Sequence, residues 1–348
     1  VKLRPLLGQF GASPTGEIAA QSKPATRFLS RARLLLGIKI FLTALVLGLL
    51  IITIKPREIL NAVIGARHEL VLVSLALVIP NLALRALKWG YLLRRVKPEA
   101  PVSEILNTLL VGFTFAVVTP GQLGEFGRAF FITGRPRLEL IGLSFIDKWY
   151  NLMAIVLGGS LGVLLLPGLV FDGNAYLFVS CCVLVSIFWA ALILAIASPR
   201  WIRDLLYAVN VMLPYRDKIK VLLSGLDPIY RRQSLILGGL GLLHYLNYIV
   251  QFYLLVLSFQ SIRIFDAYRA ASATIFVKAA LPISVGGLGV GETASVGFFR
   301  LFGVSSVAAF NASVMLFSMN ILLPAVIGVF VLLRLRIASE NGHESSAV

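Results

Sequence analysis

Apolar residues in this chain come in long blocks that hold few charges, separated by short stretches that are basic or rich in proline and glycine. A block of about 20 apolar residues makes a helix long enough to cross a hydrocarbon layer about 30 Å thick. The blocks predict full spans over Leu35–Ile54, Leu70–Leu93, Leu140–Leu166, Tyr176–Ala197, Ser234–Phe259 and Ser305–Leu333. Two further apolar stretches are too short and are broken. One rises from Val102 to Pro120 and resumes as a half-length helix from Gln122 to Ile132; the other runs Phe265–Ala280, stops at Pro282 and resumes from Glu292 to Phe302.

The first break reads Thr119-Pro120-Gly121-Gln122-Leu123-Gly124-Glu125-Phe126-Gly127-Arg128-Ala129. Pro120 removes a backbone donor, and Gly121 and Gly124 loosen the dihedrals, so the helix should end there. Glu125 and Arg128 stand three apart and share a face, which predicts an ion pair. A broken, charged helix is costly in hydrocarbon unless it lines a cavity or is buried in protein. The second break has the same grammar: Leu281-Pro282-Ile283-Ser284-Val285-Gly286-Gly287-Leu288-Gly289-Val290-Gly291-Glu292, with Lys278 four residues before the proline. Paired interrupted segments in the two halves of a chain point to a binding site near the bilayer midplane. The candidate substrate-binding residues are therefore Pro120, Gly121, Gly124, Glu125 and Arg128 from the first break, and Lys278, Ser284, Gly287, Gly289, Gly291 and Glu292 from the second.

Composition fixes the class. Of 348 residues 58% are hydrophobic and 14% charged, and the mean hydropathy is +0.89. No soluble chain of this length could hide that much apolar surface, so an all-α polytopic membrane protein is expected. The net charge of +16 sits mostly between the apolar blocks, as the positive-inside bias and anionic headgroups require; it does not indicate nucleic acid. Basic residues at 94, 95, 97, 135 and 137 put both ends of the first broken stretch on the cytoplasmic side. The connector 167–174 has no Lys or Arg and belongs outside. Six spans plus two re-entrant hairpins of opposite orientation follow, an arrangement expected of an inverted repeat. Eight ordinary spans are the rival, because Arg263 and Arg269 sit in a connector that should be external.

The predicted organisation is a mobile basic tail over 1–34, a transmembrane domain over 35–333 and a short tail over 334–348. Within the domain, a first half covers 35–166 and a second 175–333. Charged and apolar residues alternate in 199–233, the pattern of amphipathic helices on the inner leaflet. Arg85 and Lys88 near the end of the second span read as snorkelling cations with Trp89 and Tyr91 as belt residues; the rival reading puts them in the site. Asp147 and Asn151 are i, i+4 neighbours, with Lys148 turned elsewhere. Cys181 and Cys182 read as packing residues, and His244 as a hydrogen-bonded one. No metal-ligand spacing is present, so neither a metal nor a cofactor is expected.

The segment Leu84-Arg85-Ala86-Leu87-Lys88-Trp89 together with the two Pro/Gly/Glu motifs resembles the lysylphosphatidylglycerol synthase/flippase transmembrane family, over about residues 35–335. This family includes the flippase domain of the bacterial multiple peptide resistance factor and many stand-alone bacterial and archaeal proteins. Its pattern usually has Glu-Arg where this chain has Asp147-Lys148, and often Arg-Trp where it has Lys88-Trp89. Charge is kept, but lysine lacks the bidentate fork that arginine offers a phosphate. The resemblance implies the flippase half standing alone in a bacterial or archaeal cell membrane, and brings Arg85, Lys88, Asp147 and Lys148 into the candidate site; the basic tail and Arg334 and Arg336 put both termini on the cytoplasmic side. The expected function is a lipid translocator rather than an enzyme, acting on an anionic or aminoacylated phospholipid or a polyprenyl phosphate. Two alternatives stay open: an accessory protein that engages a glycosyltransferase or lipid-modifying enzyme through 199–233, and an intramembrane lipid-head transferase. Homo-oligomerisation is compatible with each.

Overall fold

The computed structural model describes residues 64–166, 175–200, 229–281 and 288–344, isolated positions between them, and side chains up to 335. The predicted span Leu35–Ile54, most of the 199–233 loop, Ser284 and Gly287 lie outside the described residues. Every described element is helical: α1 His68–Ala76, α2 Val78–Val96, α3 Val102–Val118, a 3₁₀ helix Leu123–Phe131, α4 Arg137–Leu164, α5 Ala175–Ala197, α6 Arg231–Phe259, α7 Ile264–Ala280, α8 Val290–Arg300, α9 Ser306–Phe317, a π turn Ser318–Leu322, and α10 Leu323–Glu344. Five helical stretches among them are long and apolar enough to cross a membrane: 68–96, 137–164, 175–197, 231–259 and 306–335. The protein is thus a multi-pass, all-helical membrane protein.

Two spans are interrupted where proline demands it. Pro80 has no N–H and its ring would crowd the carbonyl four residues back, so α1 ends and α2 begins at Leu77. Side chains from α6 take up backbone carbonyls around the break: Asn247 Nδ2 donates to Leu77 O at 3.2 Å and Gln251 Nε2 to Ser74 O at 2.9 Å. The last span, predicted as one helix from Ser305 to Leu333, opens into the π turn just before Pro324 for the same steric reason. There Asn320 Nδ2 donates to Gln251 Oε1 at 2.9 Å, so both breaks are tied to one buried glutamine.

Small residues let the remaining helices approach closely, the usual means of packing where lipid is as apolar as the side chains. A Cβ on Gly162 of α4 would lie 2.5 Å from Ser272 Cβ of α7, and one on Gly328 of α10 would lie 2.2 Å from Leu110 O of α3. One core gathers Phe252, Leu255, Ala267, Ala271, Phe299 and Ala309 from α6 to α9. A second gathers Trp89, Phe113, Ala129, Leu140 and Leu143 from α2, α3, the 3₁₀ helix and α4. Helix α5 has no buried residue and packs mainly on α4 and α6 among the described elements, with Trp189 Nε1 donating to Ser160 Oγ at 2.9 Å.

Candidate functional site

Helix α3 ends at Thr119, and the chain reverses through Gly121 (φ 58°) and Gln122 (φ 57°), both left-handed. It then runs back along α3 as the 3₁₀ helix. The sequence predicts an α-helical half here; the tighter 3₁₀ winding is a correction, and nine residues is long for that form. Close approach explains part of it. A Cβ on Gly124 would lie 2.1 Å from Phe115 O, so only glycine lets this turn reach α3. Thr119 ties the reversal, its Oγ1 accepting from Gly124 N at 2.6 Å and donating to Phe115 O at 2.9 Å. Thr119→Val, which keeps the shape and loses the hydroxyl, is expected to lower stability by about 1–2 kcal/mol, read as a lower melting temperature in detergent. An unchanged melting temperature would mean that the turn holds without it.

With three residues per turn, Glu125 and Arg128 stack on one edge of the 3₁₀ helix, a rise of about 6 Å apart. They do not pair with each other, contrary to the expectation from spacing. Each instead meets partners at its own level. Glu125 Oε1 accepts from Arg85 Nη2 at 2.7 Å, and its Oε2 lies 3.1 Å from Lys148 Nζ. One level deeper, Arg128 Nη2 donates to Asp147 Oδ2 at 2.9 Å and its Nε to Ser144 Oγ at 3.0 Å. Lys88 Nζ lies 3.0 Å from Asp147 Oδ1, donates to the Asp147 carbonyl at 3.2 Å and bonds Asn151 Oδ1. Arg85 and Lys88, three apart on α2, thus face the same two levels as Glu125 and Arg128.

This corrects the snorkelling reading of α2. Lys88 and Arg128 are each 1% exposed and Trp89 is fully buried. Trp89 is no interfacial belt residue: its ring lies under the Arg128 guanidinium at 3.7 Å, and its Nε1 donates to Thr108 Oγ1 at 3.1 Å. Arg85 lies over the Phe113 ring at 4.1 Å. The i, i+4 relation of Asp147 and Asn151 holds, since both meet Lys88, and Lys148 does point elsewhere, to Glu125.

The upper level faces a cavity of about 450 Å³. Its polar wall carries Arg85, Glu125, Lys148 and Lys278, with Asn81, Asn151, His244 and Asn320 beside them; Gly121 and Gln122 of the turn reach it too. His244 Nε2 lies 3.2 Å from Asn81 Oδ1, so the expected hydrogen-bonded histidine also lines the cavity. At the mouth stand Leu123, Phe145, Trp149 and Leu152, 38–59% exposed. Lys278 comes from the end of α7, packs over Gly291 and lies 5.8 Å from the Phe317 ring. Of the other predicted residues, Pro120 helps end α3 and its carbonyl accepts from Leu123 N at 3.2 Å. Arg128, Lys88 and Asp147 lie behind the wall.

Glu292 is not brought to this cavity. It is fully buried at the start of α8, where Oε2 accepts from Gly289 N at 2.6 Å and Oε1 from Ser313 Oγ at 3.3 Å. Gly289 itself takes φ 86°. Glu292 forms no ion pair with Lys278 or Arg128; a residue at the third position of a helix can reach back to cap it, and this carboxylate does so. Asn81, Asn320 and Trp89 were missed as site residues. Pro80, next to Asn81, and Pro324, four residues past Asn320, were the available signals for the two asparagines.

No curated protein matches this sequence. The pattern of the lysylphosphatidylglycerol synthase TM region matches residues 34–328, which takes in both broken stretches and every residue of the cavity wall. The chain therefore belongs to the lysylphosphatidylglycerol synthase transmembrane family.

Proposed function

We propose that this protein moves a lipid across the bilayer by passing its headgroup through the cavity between α2, α4, α7 and the 3₁₀ helix. The observation that carries this reading is the cavity's two-sided character. Its inner wall is charged and amide-rich, while its mouth is rimmed by exposed Leu123, Phe145, Trp149 and Leu152. A polar head can leave water for the inner wall while its acyl chains stay in hydrocarbon beyond the rim, so the cost of burying the head is offset by charged and amide partners.

The helix lengths support a re-entrant arrangement. At 1.5 Å per residue, α3 and α7, each of 17 residues, are about 25 Å long, and α8, of 11 residues, about 16 Å. The 3₁₀ helix of nine residues reaches about 18 Å. None matches the roughly 30 Å of a hydrocarbon core. Contacts support an inverted repeat: α3 packs on α10 as α7 packs on α4, and the 3₁₀ helix packs on α3 and α4 as α8 packs on α7 and α9. Exchanging the halves exchanges the members of each pair. We place the first hairpin's open end at the cytoplasmic face.

Liposome reconstitution with fluorescent lipids tests the function. Glu125→Gln leaves Arg85 and Lys148 without their shared anchor and is expected to slow translocation tenfold or more. Gly297→Ala, at an exposed position with nothing within 4 Å of the added methyl, is expected to leave it unchanged. Equal rates for wild type, Glu125→Gln and empty liposomes would refute the reading. Full activity in Glu125→Gln, together with loss of a partner's activity in cells, would favour the accessory role.

A further inference from the structure

Whether this cavity takes an anionic, zwitterionic or cationic head is decided by which charges reach it and which are already engaged. Among the described lining residues, Arg85, Lys148 and Lys278 are cations and Glu125 is the only carboxylate. Both oxygens of Glu125 are occupied, one by Arg85 and the other by Lys148. The other two acids of the region are closed to a ligand. Asp147 lies behind the wall between Lys88 and Arg128, and Glu292 caps its own helix. The stretch 282–287, which follows the cavity-lining Leu281, contains no acid or base at all.

Among the described residues an ammonium group entering here would find no carboxylate free to receive it and several like charges nearby. A phosphate would find the reverse. Lys278 has no carboxylate within ion-pair distance among the described residues, and its aliphatic stem is held against Gly291. A partly buried cation surplus is costly in low dielectric until a counter-charge arrives. Two buried amide atoms that line or adjoin the same wall, Asn81 Nδ2 and Asn320 Oδ1, have no hydrogen-bond partner.

We propose that the cavity selects lipids whose head carries net negative charge, a phosphate with no compensating amine, and discriminates against lysyl-esterified heads. This rests on the reading of the cavity as a lipid-head site. Arg85 and Lys148 supply the fixed part of the anion site through Glu125, and Lys278 supplies the free cation that completes it. Since Lys278 joins no ion pair among the described residues, changing it alters the cavity's charge without opening the buried network.

The test uses the full chain in nanodiscs, with native mass spectrometry and competition among phosphatidic acid, phosphatidylglycerol, phosphatidylcholine and lysylphosphatidylglycerol. Phosphatidic acid and phosphatidylglycerol are expected to be retained at least tenfold over the other two. Lys278→Gln should reduce that preference severalfold and Lys278→Glu should abolish it, with melting temperatures unchanged. Arg232→Gln, at an exposed position of α6, should leave it intact. Lysylphosphatidylglycerol held as tightly as phosphatidylglycerol would overturn the proposal, as would equal losses from Lys278→Glu and Arg232→Gln, which would mark general attraction to a basic protein. Glycerol phosphate or inorganic phosphate competing as well as the intact lipids would overturn the lipid source and leave a free-phosphate site. Retention of no lipid in any arm would instead refute the lipid-head reading itself. Should Lys278→Glu fail to fold, Lys278→Gln and the wild-type competition still decide the outcome.

Discussion

Asp147→Asn is expected to be the most destabilising polar substitution in the protein, at about 3–5 kcal/mol. Asp147 is the single carboxylate between Lys88 and Arg128, both 1% exposed. Neutralising it leaves two buried cations facing each other, and asparagine returns at most weak hydrogen bonds. The remedy identifies the cause. A triple variant replacing Asp147 with Leu and Lys88 and Arg128 with Met removes the charges together, and should recover much of the loss, since a buried ion cluster is often no better than an apolar one of similar volume. Glu125→Gln should behave differently, at about 1–2 kcal/mol, because Arg85 and Lys148 have side chains 13% and 27% exposed and can relax into the cavity. Unfolding in mixed detergent micelles would measure all three. A melting curve for Asp147→Asn that overlays wild type would show that the deeper level is not structural. The contrast bears on the proposed function: the deeper level holds the 3₁₀ helix in place, and the upper one, which faces the cavity, is the level that would meet a headgroup in the translocator reading.

The helical class was legible because span length depends only on apolar block length, and blocks such as 176–197 and 234–259 are unbroken by charge. The breaks were legible for the same local reason, proline and glycine chemistry at 120–124. What could not be read was partnership. Spacing correctly put Glu125 and Arg128 on one edge, but an edge has many neighbours, and only packing brought Arg85 and Asp147 within reach of it. The same local rule hid the role of Glu292. Three residues past Gly289, it was equally placed to cap its helix or to meet a ligand, and only burial separates the two. Trp89 beside two cations reads as an interfacial belt in one dimension; in three it is the platform under Arg128. The tie between the two proline breaks, Gln251 to Ser74 and Asn320, joins residues 177 and 69 positions apart in the chain, beyond any local pattern.

Gly124→Ala is expected to disable the protein more completely than any charge substitution at the cavity. Its new methyl would lie 2.1 Å from Phe115 O, against backbone that cannot rotate aside, whereas most overpacked sites clash with flexible side-chain ends. The cost should sit at the upper end of the about 1–3 kcal/mol typical of overpacking. The larger effect is geometric. Relief requires the 3₁₀ helix to lift from α3, which moves Glu125 from Arg85 and Arg128 from Asp147 in one step, so translocation should fall to the level of empty liposomes even where the protein remains folded. Gly297→Ala supplies the matched control, since with open space around the added methyl it should be neutral or stabilise by about 0.5–1 kcal/mol through helix propensity alone. Combining Gly124→Ala with Thr119→Val should cost less than the two losses added, because once the turn has lifted, the Thr119 bond to Gly124 N is already broken. Strict additivity, or wild-type transport in Gly124→Ala, would mean that the hairpin tolerates separation from α3 and that the two-level charge ladder is not what positions the headgroup.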